Sequence, residues 1–181
     1  MSGRAPAPVI APLSGGIDQR LQQVADQITR NTAAINALQS QTGVTDGSDA
    51  QPGQIGEYIF DNRTTASMLA ISSGVPIDLA SISLTAGDWD VQGAVYFQGS
   101  SSSGSDDLRA WVNTVSATQP SGDTGGLAII STSSGGLVNM LAVPPIRASG
   151  TATTVVYLGC NATYGSGTMQ AKGVVRARRM R

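Results

Sequence analysis

Histidine is absent from the 181-residue chain, and cysteine occurs only once, at Cys160. Without histidine the chain cannot form a Ser-His-Asp or Cys-His catalytic arrangement, or a histidine-ligated zinc or iron site. A single cysteine excludes disulfides within the chain, and the apolar run at residues 155–158 predicts that Cys160 is buried in a strand. The most familiar nucleophile and metal chemistries are therefore excluded.

Charged and aromatic residues are also scarce, at 13% and 4% of the chain. The net charge of −1 leaves no global basic field to attract nucleic acid or an anionic membrane surface. No continuous apolar run long enough to cross a membrane or to form a signal peptide is present, so we expect cytoplasmic synthesis without membrane insertion. With so few aromatic residues, we expect burial between subunits to supplement a limited core.

Prolines punctuate the first segment, residues 1–16, at Pro6, Pro8 and Pro12. Proline is excluded from helix interiors and favours extended, PPII-like chain. Three apolar side chains offer anchoring points for a groove on another protein, namely Val9, Ile10 and Leu13. We interpret residues 1–16 as an extended anchoring arm that ends in a Gly15-Gly16 hinge; a disordered tail is the alternative.

A heptad pattern begins at Ile17 and predicts a coiled-coil helix over residues 17–42. The a positions are Leu21, Ile28 and Ile35, and the d positions are Ile17, Val24, Asn31 and Leu38. A helix of about 25 residues with so few charges is not stable alone, and its narrow apolar stripe is typical of a coiled-coil seam. A helical hairpin on the rest of the chain is the alternative, but no second helical pattern is present to form it.

Asn31 is the one polar residue on this seam. Asparagine at such a position fixes register or oligomer number at a cost in stability. The run at residues 28–32, ITRNT, resembles trimeric coiled coils of fibrous adhesins. The resemblance implies three inward Asn31 side chains around an anion on the trimer axis, and we expect no other cofactor.

Residues 43–54 are rich in Gly, Asp, Ser and Pro, which predicts a linker. Asp46, Ser48 and Glu57 fit the first, third and twelfth places of a calcium-binding loop. Gln51, however, stands where that loop requires glycine, so a solvated neck is the better interpretation.

Residues 55–181 alternate short apolar runs with Gly- and Ser-rich turns, at a spacing typical of β-sandwiches. The predicted strands are 55–60, 67–71, 77–84, 89–97, 108–115, 127–131, 137–143, 153–163 and 168–178. Small residues inside strands, such as Gly93, Ala94 and Gly173, indicate close approach of a second sheet or a subunit. The predicted fold class is mainly β with an N-terminal coiled-coil helix and a jelly-roll-like antiparallel β-sandwich head, assembled as a homotrimer.

Paired carboxylates are the remaining candidates for catalysis, because polysaccharide hydrolysis needs two of them across a sugar-binding cleft. Asp88 with Asp90, and Asp106 with Asp107, are the available pairs. Both pairs adjoin turn sequences, where aspartate commonly forms turns. We therefore expect no enzymatic activity.

The C-terminal arginines and the tyrosines and tryptophans are the other candidate binding residues. The basic cluster consists of Arg176, Arg178, Arg179 and Arg181, and the aromatic candidates are Tyr58, Tyr96, Trp111, Tyr157 and Tyr164. Nucleic-acid binding would pair such arginines with stacked aromatic residues, which do not accompany them. We expect the arginines to pair with Asp88, Asp90 or Glu57 or to lie near the trimer axis, and the aromatic residues to pack in the core.

Two runs resemble the β heads of small tailed-bacteriophage virion proteins of the head-fibre, decoration and tail-fibre kind. They are residues 82–93, ISLTAGDWDVQG, and residues 171–181, AKGVVRARRMR. The order of arm, coiled coil and head extends the likeness over the chain. The resemblance implies a homotrimer on the virion surface, made in the host cytoplasm, anchored through its N-terminus to capsid or tail proteins and aiding host adhesion. The alternative is a tail protein that binds host surface glycan or degrades polysaccharide.

Overall fold

The computed structural model describes residues 14–41, 48–101, 105–122, 126–133 and 137–181. The chain divides after Ser40 into two compact units. The first is dominated by a single helix, α1 (Ser14–Gln41). The second, which we call the head, contains all the strands of the described residues. The arm residues Val9, Ile10 and Leu13, and residues 42–47 of the predicted linker, lie outside the described residues.

Helix α1 begins three residues before its predicted start. Gly15 and Gly16, which we expected in an extended arm and hinge, are therefore helical. Each glycine costs only about 1 kcal/mol relative to alanine even in a helix interior, so the extension is inexpensive.

Nine strands and one short 3-10 helix build the described part of the head. They are β1 (Tyr58–Arg63), the 3-10 helix (Thr65–Ser67), β2 (Leu69–Ile71), β3 (Ile77–Leu84), β4 (Gly87–Ser101), β5 (Ser105–Asn113), β6 (Leu127–Ser133), β7 (Leu137–Gly150), β8 (Thr154–Thr163) and β9 (Gly167–Arg179). Each strand predicted from the sequence is present, with ends shifted by several residues in β4 and β7.

The strands form two antiparallel sheets that pack face to face. The first sheet has the order β1-β9-β4-β7, with β2 also paired to β9, and the second has the order β3-β8-β5-β6. If β1 and β2 are counted as one broken strand, the first strand pairs with the last, the second with the seventh, the third with the sixth and the fourth with the fifth. This nesting is the winding of a jelly roll, so the predicted jelly-roll-like sandwich is confirmed.

One cluster of buried side chains, which includes Trp89, Phe97 and Leu158, fills the space between the sheets. Leu158 reaches across to the first sheet at two glycines. A Cβ atom built on Gly93 would lie 2.6 Å from Leu158 Cδ1, and one built on Gly173 would lie 2.7 Å from Leu158 Cδ2. Both glycines thus permit close approach of the sheets. The head thus has a core within one chain, and the additional burial between subunits stays a prediction.

Strand β7 continues through Pro144 and Pro145, beyond its predicted end at residue 143. It is an edge strand, so the missing amide hydrogens need no partner on its outer side. Opposite the prolines, the register with β4 shifts between Val91 and Gly93, as expected for a β-bulge.

Candidate self-assembly site

Six large apolar side chains of α1 are exposed at heptad spacing. They are Ile17, Leu21, Val24, Ile28, Ile35 and Leu38, with 54–65% of each exposed to solvent. Full burial of one such side chain contributes about 1.5 to 3 kcal/mol. The stripe predicted as a trimer seam is therefore present in the structure as an uncovered apolar surface.

Asn31 occupies the remaining place in this stripe and is also exposed. Its Oδ1 atom accepts a hydrogen bond of 2.9 Å from Nε2 of Gln27, one turn earlier. A similar bond of 3.1 Å joins Gln22 Nε2 to Asp26 Oδ1. Such pairs add a few tenths of a kcal/mol each, which does not compensate for an exposed apolar stripe. The anion on the axis remains a prediction.

In the head, Arg179 is buried and ties the chain end to the residues that precede β1. Its Nε donates to Glu57 Oε2 at 2.9 Å, with only 5% and 8% of the two side chains exposed. Its Nη1 donates to Ala86 O at 2.8 Å, and its guanidinium lies 4.3 Å from the centre of the Trp89 ring. The predicted pairing of a C-terminal arginine with Glu57 is confirmed. Because Glu57 is held in this way, it is not free for the calcium loop considered above.

Asp88 is bound by two further arginines. It accepts bonds of 2.6 and 2.8 Å from Arg147 and a bond of 2.9 Å from Arg181. The hydrogen bond from Arg147, with the charges of both arginines, lowers the pKa of Asp88 and outweighs the opposing effect of burial. A general acid in glycoside hydrolysis needs a raised pKa, so Asp88 is poorly suited to that role.

The other members of the carboxylate pairs are also engaged or lie outside the described side chains. Asp90 accepts a hydrogen bond of 3.2 Å from Gln92 and not from an arginine, and Asp107 forms an ion pair with Arg109. The side chain of Asp106 lies outside the described residues. Within the described part of the chain, no group of three or more acidic or cysteine side chains could hold a metal ion.

Trp111 is fully buried, but it does not belong to the central core. It alternates with Ala110 and Val112, which face the core, so its indole lies on the outer side of the second sheet against Gly159. The residues after β5 fold back along this side, where Ser116 and Ala117 donate hydrogen bonds to Asp78 of β3.

The other aromatic candidates divide between core and surface. Tyr164 packs against the core, and its hydroxyl donates to Ile71 O at 2.7 Å. Tyr96 and Tyr157 are half-buried, and Lys172 Nζ lies 4.6 Å from the centre of the Tyr96 ring. Tyr58, by contrast, is 54% exposed, so the expectation of core packing was wrong there. Its strand lies at a sheet edge and turns Tyr58 away from the core.

Phe60, which the sequence analysis did not select, shares this exposed face. Its ring centre lies 5.9 Å from that of Tyr58, and 59% of Phe60 is exposed. The two rings and Arg178 line a groove of about 530 Å³ with Asp49 and Ile55. The two rings are two residues apart in one strand, and this spacing in the sequence predicts that they lie on the same face.

No helix in the described ranges is long and apolar enough to span a membrane. No protein-family model matches the sequence, and no curated protein matches it. Among solved structures, the VP2 subviral particle of infectious bursal disease virus is similar over 77% of this chain, at 14% identity and a TM-score of 0.44. The T13 particle of the same virus is also similar over 77% of this chain, at 14% identity and a TM-score of 0.40. The chain spans only 37% and 39% of the length of those chains.

Proposed function

We propose that the protein is a virion structural protein that forms a short homotrimeric fibre on the particle surface, of the head-fibre, decoration or tail-fibre kind. The observation that carries the proposal is the exposed heptad stripe of α1. An apolar stripe at this spacing is covered most simply by identical stripes of further copies, wound as a coiled coil. The virion assignment is supported by the two runs that resemble phage β heads.

The residue types at the seam favour a coiled coil of three helices over one of two helices. Ile28 and Ile35 occupy a positions and Ile17 a d position, and isoleucine at both kinds of position shifts preference from dimers to higher oligomers. Asn31 then acts as the polar layer that selects the register and the number of helices in the coiled coil.

Residues 1–13 are proposed as the attachment to capsid or tail proteins. Deletion of residues 2–14 removes the prolines and the apolar anchors Val9, Ile10 and Leu13 but retains the whole seam. We expect the truncated protein to remain a folded trimer that no longer joins particles. Normal incorporation into particles would show that another part of the chain is the anchor.

The role that we propose is non-enzymatic, with host adhesion as the function of the head and binding of host surface glycan as the alternative. The competing function is polysaccharide degradation. Incubation of the purified protein with host capsule or lipopolysaccharide separates the two, because a structural fibre releases no reducing sugar. Sugar release that disappears in an Asp88→Asn variant would overturn the structural assignment.

A further inference from the structure

The two outer faces of the sandwich differ in how the chain covers them. The outer face of the second sheet carries the segment after β5, held by Asp78, and its Trp111 is fully buried. On the outer face of the first sheet, Tyr58, Phe60 and Met140 are 54%, 59% and 72% exposed. The outer face of the second sheet exposes Ile129 and Val155, at 52% and 37%, so the first sheet differs in exposing larger side chains, two of them aromatic neighbours. Adjoining apolar side chains of this size mark an interaction surface.

The middle of this exposed face carries small apolar side chains. The register aligns Val174, Ala94 and Ala142 in one row across β9, β4 and β7. In the next row, Tyr96 lies between Lys172 and Met140, and a groove of about 370 Å³ runs over these strands. Small side chains in the centre and larger ones at the rim allow another sheet or loop to approach closely.

Two arginines, Arg176 and Arg178, project from the same face. Arg176 donates a hydrogen bond of 3.1 Å to Gln92, and in the described part of the head neither arginine forms an ion pair with a carboxylate. Asp49 is exposed and lines the same groove as Tyr58, Phe60 and Arg178. The face thus offers both charges to a second copy, together with the aromatic, methionine and arginine side chains that are enriched in protein interfaces.

We infer that the outer face of the first sheet is a subunit interface, covered by the head of a second copy of this chain. The inference rests on the proposed trimer. Only six residues, 42–47, separate α1 from the first described residue of the head, and a tether of that length spans at most about 25 Å when fully extended. A trimeric helix therefore holds three heads at an effective concentration in the millimolar range, where even a weak head-to-head contact is occupied.

Hydroxyl-radical labelling of the full chain, read by mass spectrometry, tests the inference. The wild type is compared with Leu21→Asp, which buries a charge in the seam and disrupts the stalk, and light scattering gives the mass of each sample. We expect labelling of Met140, Tyr58 and Phe60 to be several-fold lower in the wild-type trimer than in the monomeric variant. Ile129, which is 52% exposed on the outer face of the second sheet, serves as the internal reference and keeps its labelling.

A matched pair of substitutions separates the interface from the stalk. Phe60→Glu and Ile129→Glu each place a charge at a similarly exposed position on opposite faces. We expect both variants to remain trimers, with Met140 labelling restored to the monomer level by Phe60→Glu and unchanged by Ile129→Glu. A wild-type trimer whose Met140, Tyr58 and Phe60 are labelled as strongly as in the monomer would overturn the interface and leave the proposed trimer intact. Protection of Tyr58 and Phe60 only by added glycan would assign the groove to saccharide instead, and a monomeric wild type would overturn the proposed function itself.

Discussion

Replacement of Arg179 by methionine tests the ion pair that joins Glu57, just before β1, to the end of β9. The substitution keeps much of the side-chain volume but removes the donors to Glu57 and to Ala86 O. Glu57 is then left as a buried carboxylate, 8% exposed, with the Gly53 amide as its described hydrogen-bond donor. Breaking a buried pair in this way costs about 3 to 5 kcal/mol. That is a large share of the roughly 5 to 15 kcal/mol by which a domain is stable.

Urea unfolding monitored by tryptophan fluorescence measures this effect. Every variant is made in the Leu21→Asp background, because oligomerisation would make stability depend on concentration. The control is Arg178→Met, at the neighbouring exposed position, which we expect to change the free energy of unfolding by no more than about 0.5 kcal/mol. The double variant Glu57→Gln/Arg179→Met removes both charges of this pair and is expected to recover part of the loss. If Arg179→Met costs no more than Arg178→Met, the pair does not hold the head together.

Three further predictions concern acid stability, sheet packing and the seam. Because the pKa of Asp88 is lowered in the folded state, its ionised carboxylate stabilises the head at neutral pH. This stabilisation is lost as the pH falls through 3.8 toward the folded-state pKa. Urea titrations over this range should show a smaller loss of unfolding free energy in Asp88→Asn than in wild type. Gly173→Ala should destabilise the head more than Gly93→Ala, within the roughly 1 to 3 kcal/mol typical of overpacking, because its Cβ atom would also lie 2.8 Å from the backbone oxygen of Ala94; equal urea midpoints would contradict this. Asn31→Ile should raise the melting temperature of an isolated α1 peptide while loosening its choice of oligomer, since a polar seam layer gives specificity at the expense of stability; a marked fall in melting temperature would show that Asn31 is not a seam residue.

The sequence was sufficient to predict the strands because period-two alternation and Gly-rich turns are local signals. Trp89 and Phe97 of β4 both face the core, as that alternation requires. The C-terminal half of β7 was not predicted, because Pro144 and Pro145 indicated the end of a strand. Only the sheet order shows that this strand is an edge where proline is tolerated.

The surface of the head was less predictable, because the exposure of a strand residue depends on what covers its face. Tyr58 and Trp111 have the same strand-like local pattern, yet one is 54% exposed and the other is fully buried. Trp111 packs against Gly159 of β8, a contact distant in sequence, whereas Tyr58 lies on a strand at the edge of its sheet. The partner of Arg179 was correctly placed among three carboxylates, but the choice of Glu57 depends on the pairing of β1 with β9.

The mass of the full chain in solution tests the central claim most directly. Multi-angle light scattering at micromolar concentration should give three times the subunit mass of 18.4 kDa for the wild type. Ile28→Asp places a charge in the seam and should reduce the mass to that of one subunit while leaving the head folded. A wild-type mass of one or two subunits would contradict the trimeric fibre.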